Sequence, residues 1–192
     1  KLEEAIEAYN KALAIKPDYA NAYYNMGIAL QEQGKLEEAI EAYNKTLEIK
    51  PDYADAYYNM GNALKDQGKL EEAIEAYNKA LSLKPDYAEA HRHLSRLTKY
   101  TADTAQISEV EALLQQADLN DSDRCNLVYT NAKMQEDLGD LNAAYASYLA
   151  GGDLRQKLLA YEFKQDEHLV DQIKRTAPKF KDVALNAASE PI

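Results

Sequence analysis

Residues 35–68 read KLEEAIEAYNKTLEIKPDYADAYYNMGNALKDQG, and residues 1–34 read the same apart from six positions. Those six are Ala12/Thr46, Ala14/Glu48, Asn21/Asp55, Ile28/Asn62, Gln31/Lys65 and Glu32/Asp66. Residues 69–88 continue the copy with three changes, and the pattern dissolves after Glu89. A fixed period of 34 residues decides the architecture, because each period must be one supersecondary unit that buries its apolar face against the next.

Inside the period, Leu36, Ala39, Ile40, Tyr43 and Leu47 recur at three- and four-residue spacing and fall on one stripe of a helix. Glu37, Glu38 and Glu41 crowd its first turns, where the helix dipole favours them, and Lys45 follows Glu41 at the i,i+4 spacing of a helical ion pair. Lys50-Pro51-Asp52 stops it, since proline cannot continue the hydrogen-bond ladder. A second amphipathic stretch, residues 54–66, carries Tyr57, Met60, Gly61 and Leu64 and ends at Gly68. Each period is therefore two antiparallel helices. Gly27 and Gly61 are expected to let helices approach closely, with Ala39 and Ala73 as the small residues opposite.

Tyr23, Met26, Gly27, Leu30, Gly34, Ala39, Tyr43 and Pro51, then Tyr57, Met60, Gly61, Leu64, Gly68, Ala73, Tyr77, Ala80 and Pro85, resemble the tetratricopeptide repeat, with Tyr where that family often has Trp. The resemblance implies an all-α superhelix, an α-solenoid of antiparallel helix pairs continuing into divergent helical hairpins. Repeats are expected over residues 1–101, with the first unit incomplete, a divergent repeat-like region over 102–178, and a tail or linker over 179–192. The apolar stripe Leu2, Ala5, Ile6, Tyr9 and Leu13 has no upstream helix to cover it, so we expect either a piece of a longer array or self-association through this helix.

Beyond Glu89 a helix is expected over 91–99, with His91, Leu94 and Ser95 in the Tyr, Met and Gly slots, and a packed pair with a second helix over 104–116 capped by Thr104. The Asp/Asn-rich stretch 118–123 reads as a loop. A decayed repeat follows from Ser122 when Gly139 is aligned with Gly34 and Gly68: Val128 and Ala132 take the Tyr and Gly slots, Ala144 the Ala slot and Tyr148 the aromatic slot. Gly151-Gly152 is expected to end that helix, with further helices over 154–163 and 167–175 and a loop over 180–192. His91-Arg92-His93-Leu94-Ser95, Asp123-Arg124, Ala144-Tyr145, Gly151-Gly152-Asp153-Leu154-Arg155 and Tyr161 are similar to the segment that joins such repeats to a sulfotransferase domain in bacterial proteins, departing from it at Gly152 and Gln156. That resemblance implies a catalytic domain following Pro191-Ile192, with Arg92, Arg124 and Arg155 as candidate anion contacts.

Composition narrows the chemistry. The chain carries 22 Lys+Arg against 33 Asp+Glu, a net charge of −11; residues 1–90 hold 10 basic and 17 acidic groups, so neither half hides the basic face that nucleic acid needs. No apolar run approaches the roughly 18 residues of a membrane span. One cysteine, Cys125, rules out an internal disulfide framework and fits a cytoplasmic address. There is no Gly-x-Gly-x-x-Gly and no phosphate-binding loop. His91 and His93 point to different faces of a helix, which argues against a metal centre, and Cys125 lacks a neighbouring base. No cofactor is implied, and the chain by itself is expected to bind rather than catalyse.

What remains is surface. In the repeat family the first helices line the concave side, so the resemblance implies parallel rows: Asn21/Asp55/Glu89, Tyr24/Tyr58/Arg92, Asn25/Asn59/His93 and Ile28/Asn62. A side-chain amide both donates and accepts, so a row of Asn suits the backbone of an extended peptide, and tyrosine adds amphipathic contact area. The row is similar to that in the repeats of O-linked N-acetylglucosamine transferases and lacks the Lys/Arg clamp of chaperone-binding repeats. A protein or extended peptide is the expected partner, held by Asn21, Tyr24, Asn25, Asp55, Tyr58, Asn59, Asn62, Arg92 and His93. The alternative is that Asn25 and Asn59 bond only to neighbouring helices and water.

Overall fold

A computed structural model describes residues 1–159. Among them run nine helices: α1 (Leu2–Ile15), α2 (Ala20–Glu32), α3 (Leu36–Ile49), α4 (Ala54–Asp66), α5 (Leu70–Leu83), α6 (Ala88–Ser95), α7 (Ala105–Leu114), α8 (Asp121–Asp137) and α9 (Leu141–Leu158). No strand occurs among the described residues. The end of the helix expected over 154–163, the helix expected over 167–175 and the loop over 180–192 lie outside the described residues.

The hairpins α2–α3, α4–α5 and α8–α9 pack most extensively. Each turns on a glycine at positive φ, namely Gly34 (75°), Gly68 (79°) and Gly139 (86°), a conformation that costs a side chain dearly and glycine nothing. The alignment of Gly139 with the two earlier turns therefore holds at the level of the backbone.

Close approach within the repeats comes from a ring, not from paired small residues. A Cβ at Gly27 would sit 2.6 Å from Tyr43 Cε1, and one at Gly61 would sit 2.7 Å from Tyr77 Cε1. Both rings are fully buried; hiding such a side chain from water contributes roughly 2–3 kcal/mol. Ala39 and Ala73 are buried in the same clusters but do not face the glycines at that distance.

Sequence differences between the copies turn out to be paired. The buried Tyr43 hydroxyl donates to Gln31 Oε1 at 3.0 Å, and the equivalent Tyr77 hydroxyl donates to Asn62 Oδ1 at 2.8 Å. The first copy has Ile28 and Gln31 where the second has Asn62 and Lys65, so the acceptor has moved by one turn and each buried hydroxyl keeps one partner. Lys45 corrects an expectation similarly: it pairs with Glu48 at 2.7 Å, not with Glu41, whereas Lys11, whose copy has Ala14 in place of Glu48, turns back to Glu7 at 2.7 Å. Both pairs are exposed and contribute little.

Beyond residue 90 the register persists while the packing changes. α6 stops at Ser95, four residues short of the expected end, and rests mainly on α8; it does not form a packed pair with α7, which also packs on α8. Tyr100, in the connection, is 1% exposed and fills the core of this half with Val110, Leu127 and Met134. Its hydroxyl donates to Gln106 Oε1 at 2.9 Å and its backbone N–H to Asp137 at 3.1 Å. Thr104 holds the N-cap position of α7 as expected, but its side chain makes no capping hydrogen bond; its hydroxyl oxygen accepts from the Thr101 N–H at 3.1 Å. The segment 118–123 is only half a loop, because Asn120 caps α8 by accepting from the Asp123 N–H at 2.9 Å. Gly151-Gly152 does not end a helix: α9 runs through both, since Tyr129 of α8 packs over Gly151, 3.1 Å from where a Cβ would stand. Of the helix expected over 154–163, residues 154–158 form the end of α9.

Candidate functional site

The first helices of successive units, α2, α4 and α6, carry the rows anticipated from the repeat, and the side chains bridge from helix to helix. Asn25 and Asn21 on α2 are exposed. Asn59 on α4 is half-buried and donates through Nδ2 to the Tyr24 hydroxyl of α2 at 2.9 Å. The two readings of the row therefore divide by residue: Asn59 joins neighbouring helices, while Asn25 stands open on the surface.

Tyrosines from the post-proline turns complete the surface. Tyr24 lies against Tyr53 with ring centroids 4.8 Å apart, and Tyr58 lies against Tyr87 at the same distance. Lys50 and Lys84 cover the outer rings at 4.5 and 4.2 Å. Burial, then the charge of Asp55, pushes the Tyr24 hydroxyl up to about 12, and burial also raises Tyr58, with the Asn62 amide acting the other way. The carboxylate of Asp55 also acts on Tyr87, whose hydroxyl is raised by burial first and by that charge second. Tyr53 and Tyr87 escaped the sequence reading although the Pro-Asp-Tyr triplet recurs at each period and marks them.

At the third unit the row changes character. His93 Nδ1 lies 2.6 Å from Asn62 Oδ1, the atom that also receives the Tyr77 hydroxyl, so the ring donates there. Burial, followed by the charges of Lys65, Arg96 and Arg92, lowers His93 to about 4. Arg92 stacks its guanidinium over Tyr129 of α8 at 4.6 Å. The Asn62 carbonyl oxygen is saturated by these two contacts and serves the wall as a brace. His91 turns the other way, as its spacing requires: fully buried, it donates from Nε2 to the Pro85 carbonyl at 2.8 Å, and its Nδ1 receives the Gln106 amide at 2.8 Å.

Other candidates take structural roles. Arg124 donates to the Leu114 and Gln116 carbonyls at 3.3 and 3.0 Å, closing the C-terminal end of α7. Cys125 is buried against the Gly151 carbonyl, and burial raises its thiol. No group of three or more His, Cys, Asp or Glu gathers as a metal site among the described residues, nor is any described helix long and apolar enough to cross a membrane. A groove of about 470 Å³ lies between α1 and α3 over α2, lined by Ile6, Asn10, Tyr23, Met26 and Glu41, and recurs between α3 and α5; none of the wall residues enters it.

Comparison with known proteins agrees with this architecture. A family model described as TPR repeat matches residues 1–34 and 29–68, and one described as Tetratricopeptide repeat matches residues 54–87. No match was found among the curated proteins. Among solved structures, MamA superposes with a TM-score of 0.64 at 22% identity, over 83% of this chain and 92% of that one. An O-GlcNAc transferase of Thermobaculum terrenum superposes at 0.51 with 27% identity, over 59% of this chain and 22% of that one. The first TPR of Spaghetti (RPAP3), bound to an HSP90 peptide, superposes at 0.50 with 30% identity, over 50% of this chain and 77% of that one. Residues 1–87 are thus tetratricopeptide repeats, and the fold is the tetratricopeptide-repeat superhelix.

Proposed function

We propose that this protein-interaction module holds an extended peptide of a partner protein against the wall of α2, α4 and α6. The observation that carries the reading is the juxtaposition of the exposed Asn25 amide with the Asn59–Tyr24 bridge and the stacked Tyr58–Tyr87 pair on adjacent first helices. Amides there can match a peptide backbone in both directions, and the aromatic rings supply rigid contact area with little rotamer freedom to lose. The RPAP3 repeat solved with an HSP90 peptide supports peptide capture as a use of this fold. On this reading the chain binds without catalysing and calls on no cofactor.

Asn25→Ala combined with Asn59→Ala tests it. Capture of neutral peptides from a random extended library, followed by fluorescence anisotropy, should weaken about tenfold, an effect of about 1.4 kcal/mol. The melting temperature should move only a few degrees, since a single net hydrogen bond, Asn59 to Tyr24, is lost from the fold. Wild-type affinity in the double variant removes the proposal.

A further inference from the structure

Charge is unevenly distributed along the wall. Asp55 and Glu89 stand in the first turns of α4 and α6, whereas Lys65, Arg92 and Arg96 stand at their C-terminal ends. On α4 the step from Asp55 to Lys65 spans roughly 15 Å at about 1.5 Å per residue, whereas on the shorter α6 Glu89 precedes Arg92 by a single turn. His93 is bonded to Asn62, one turn before Lys65 on α4, and on its own helix it lies next to Arg92 and one turn before Arg96, which places all three cations on the turns next to its ring; their charges add to burial in lowering its pKa, and Asp66 acts the other way. Asp66 is paired with Lys65 at 3.2 Å.

This arrangement is poorly explained by the needs of the fold. A helix C-terminus favours a cation, but Arg92 and Arg96 are four residues apart on one helix and repel each other. Arg92 is held below its ordinary value by burial and then by Arg96. Among the described residues neither arginine is paired with a carboxylate. In a chain of net charge −11, two neighbouring arginines without such partners are a local exception. Arg92 is also held in place, because stacking on Tyr129 restricts the plane of its guanidinium, whose N–H donors lie along its edge.

We infer that the wall around His93 recognises acidic side chains, so that the peptide held by this module is a carboxylate-bearing segment received by Lys65, Arg92 and Arg96. The inference rests on the peptide-groove reading above and specifies its ligand. Charge complementarity commits the surface to an acidic protein segment; the acidic edge at Asp55 and Glu89 opposes a nucleic-acid backbone running across the same wall.

The test uses the full chain and fluorescein-labelled peptides of alternating Glu and Ala, or Gln and Ala, each with a free or an amidated C-terminus, together with an oligothymidine. The Glu peptide should bind about tenfold tighter than the Gln peptide at low salt, with the preference shrinking as salt rises and unaffected by amidation. Arg96→Glu with Lys65→Glu should abolish the preference and leave the Gln peptide unchanged. Circular dichroism checks the fold, and if that variant does not fold, Arg96→Gln with Lys65→Gln makes the same comparison. Equal affinity for Glu and Gln peptides, dependence on a free C-terminus, tighter binding of the oligothymidine, or a preference that survives charge removal each overturns the inference. If the Gln peptide still binds in an Asn25-dependent way while no acidic preference exists, the groove stands and its assigned ligand falls. If no peptide binds, the groove falls with it.

Discussion

Tyr77 in the duplicated half and Tyr100 in the divergent half are both buried tyrosines whose hydroxyls donate to a side-chain amide oxygen, Asn62 in one case and Gln106 in the other. Tyr77 sits at a repeat position on a helix, whereas Tyr100 sits in a connection with no periodic neighbours. The rings over glycines tell the same story in reverse: Tyr77 of a second helix covers Gly61 of a first helix, while Tyr129 of a first helix covers Gly151 of a second. The comparison teaches that divergence has kept the physical devices, a satisfied buried tyrosine and a ring over a bare backbone, and has changed their positions.

The sharpest way to break the comparison is to remove the misplaced plug. Tyr100→Ala should cost about 3–5 kcal/mol in urea unfolding, the usual range for deleting a buried aromatic. Because repeat stacks are coupled mainly to their neighbours, hydrogen exchange should show protection lost in α7–α9 and largely retained in α2–α5. Uniform loss of protection would show that the two halves fold as one unit.

A smaller effect probes the paired differences between copies. Asn62→Ile should cost roughly 1–3 kcal/mol by stranding the Tyr77 hydroxyl. Adding Lys65→Gln, which recreates the Ile28/Gln31 arrangement, should recover roughly 0.5–1.5 kcal/mol in a double-mutant cycle. Strict additivity would show that Gln at position 65 does not take up the hydroxyl.

Smallest is a glycine contrast. Nothing lies within 4 Å of a Cβ built at Gly152, so Gly152→Ala should stabilise by roughly 0.5–1 kcal/mol through helix propensity. The same change at Gly61 should destabilise, since the methyl group would press on the Tyr77 ring and overpacking outweighs propensity. Thermal melts of the two variants, moving in opposite directions, check this.

Where the repeat is intact, the sequence was readable down to single turns: the period located the helices, and glycine after the first helix located the positive-φ turns at Gly34, Gly68 and, across the decayed repeat, Gly139. Pairings were less legible. Lys45 chose Glu48 over Glu41 because both lie within one turn, and spacing alone does not rank them. In the second half, Gly151-Gly152 looked like a terminator because the ring that makes a helical glycine useful is 22 residues upstream, at Tyr129. Tyr100 gave no signal, since burial of a loop residue leaves no periodicity. Of the wall, the row positions were legible from the repeat. The division of labour between Asn25 and Asn59, the post-proline tyrosines and the cations gathered around His93 needed coordinates.

The shifted acceptor has a genetic consequence. Copies this alike invite recombination, and most crossovers would leave the encoded structure intact. One falling between positions 28 and 31, or between 62 and 65, would instead join Ile to Lys and orphan a tyrosine, or join Asn to Gln and supply two oxygens for one proton. Those codons are therefore expected to travel together, a short linkage block fixed by a single phenolic hydrogen.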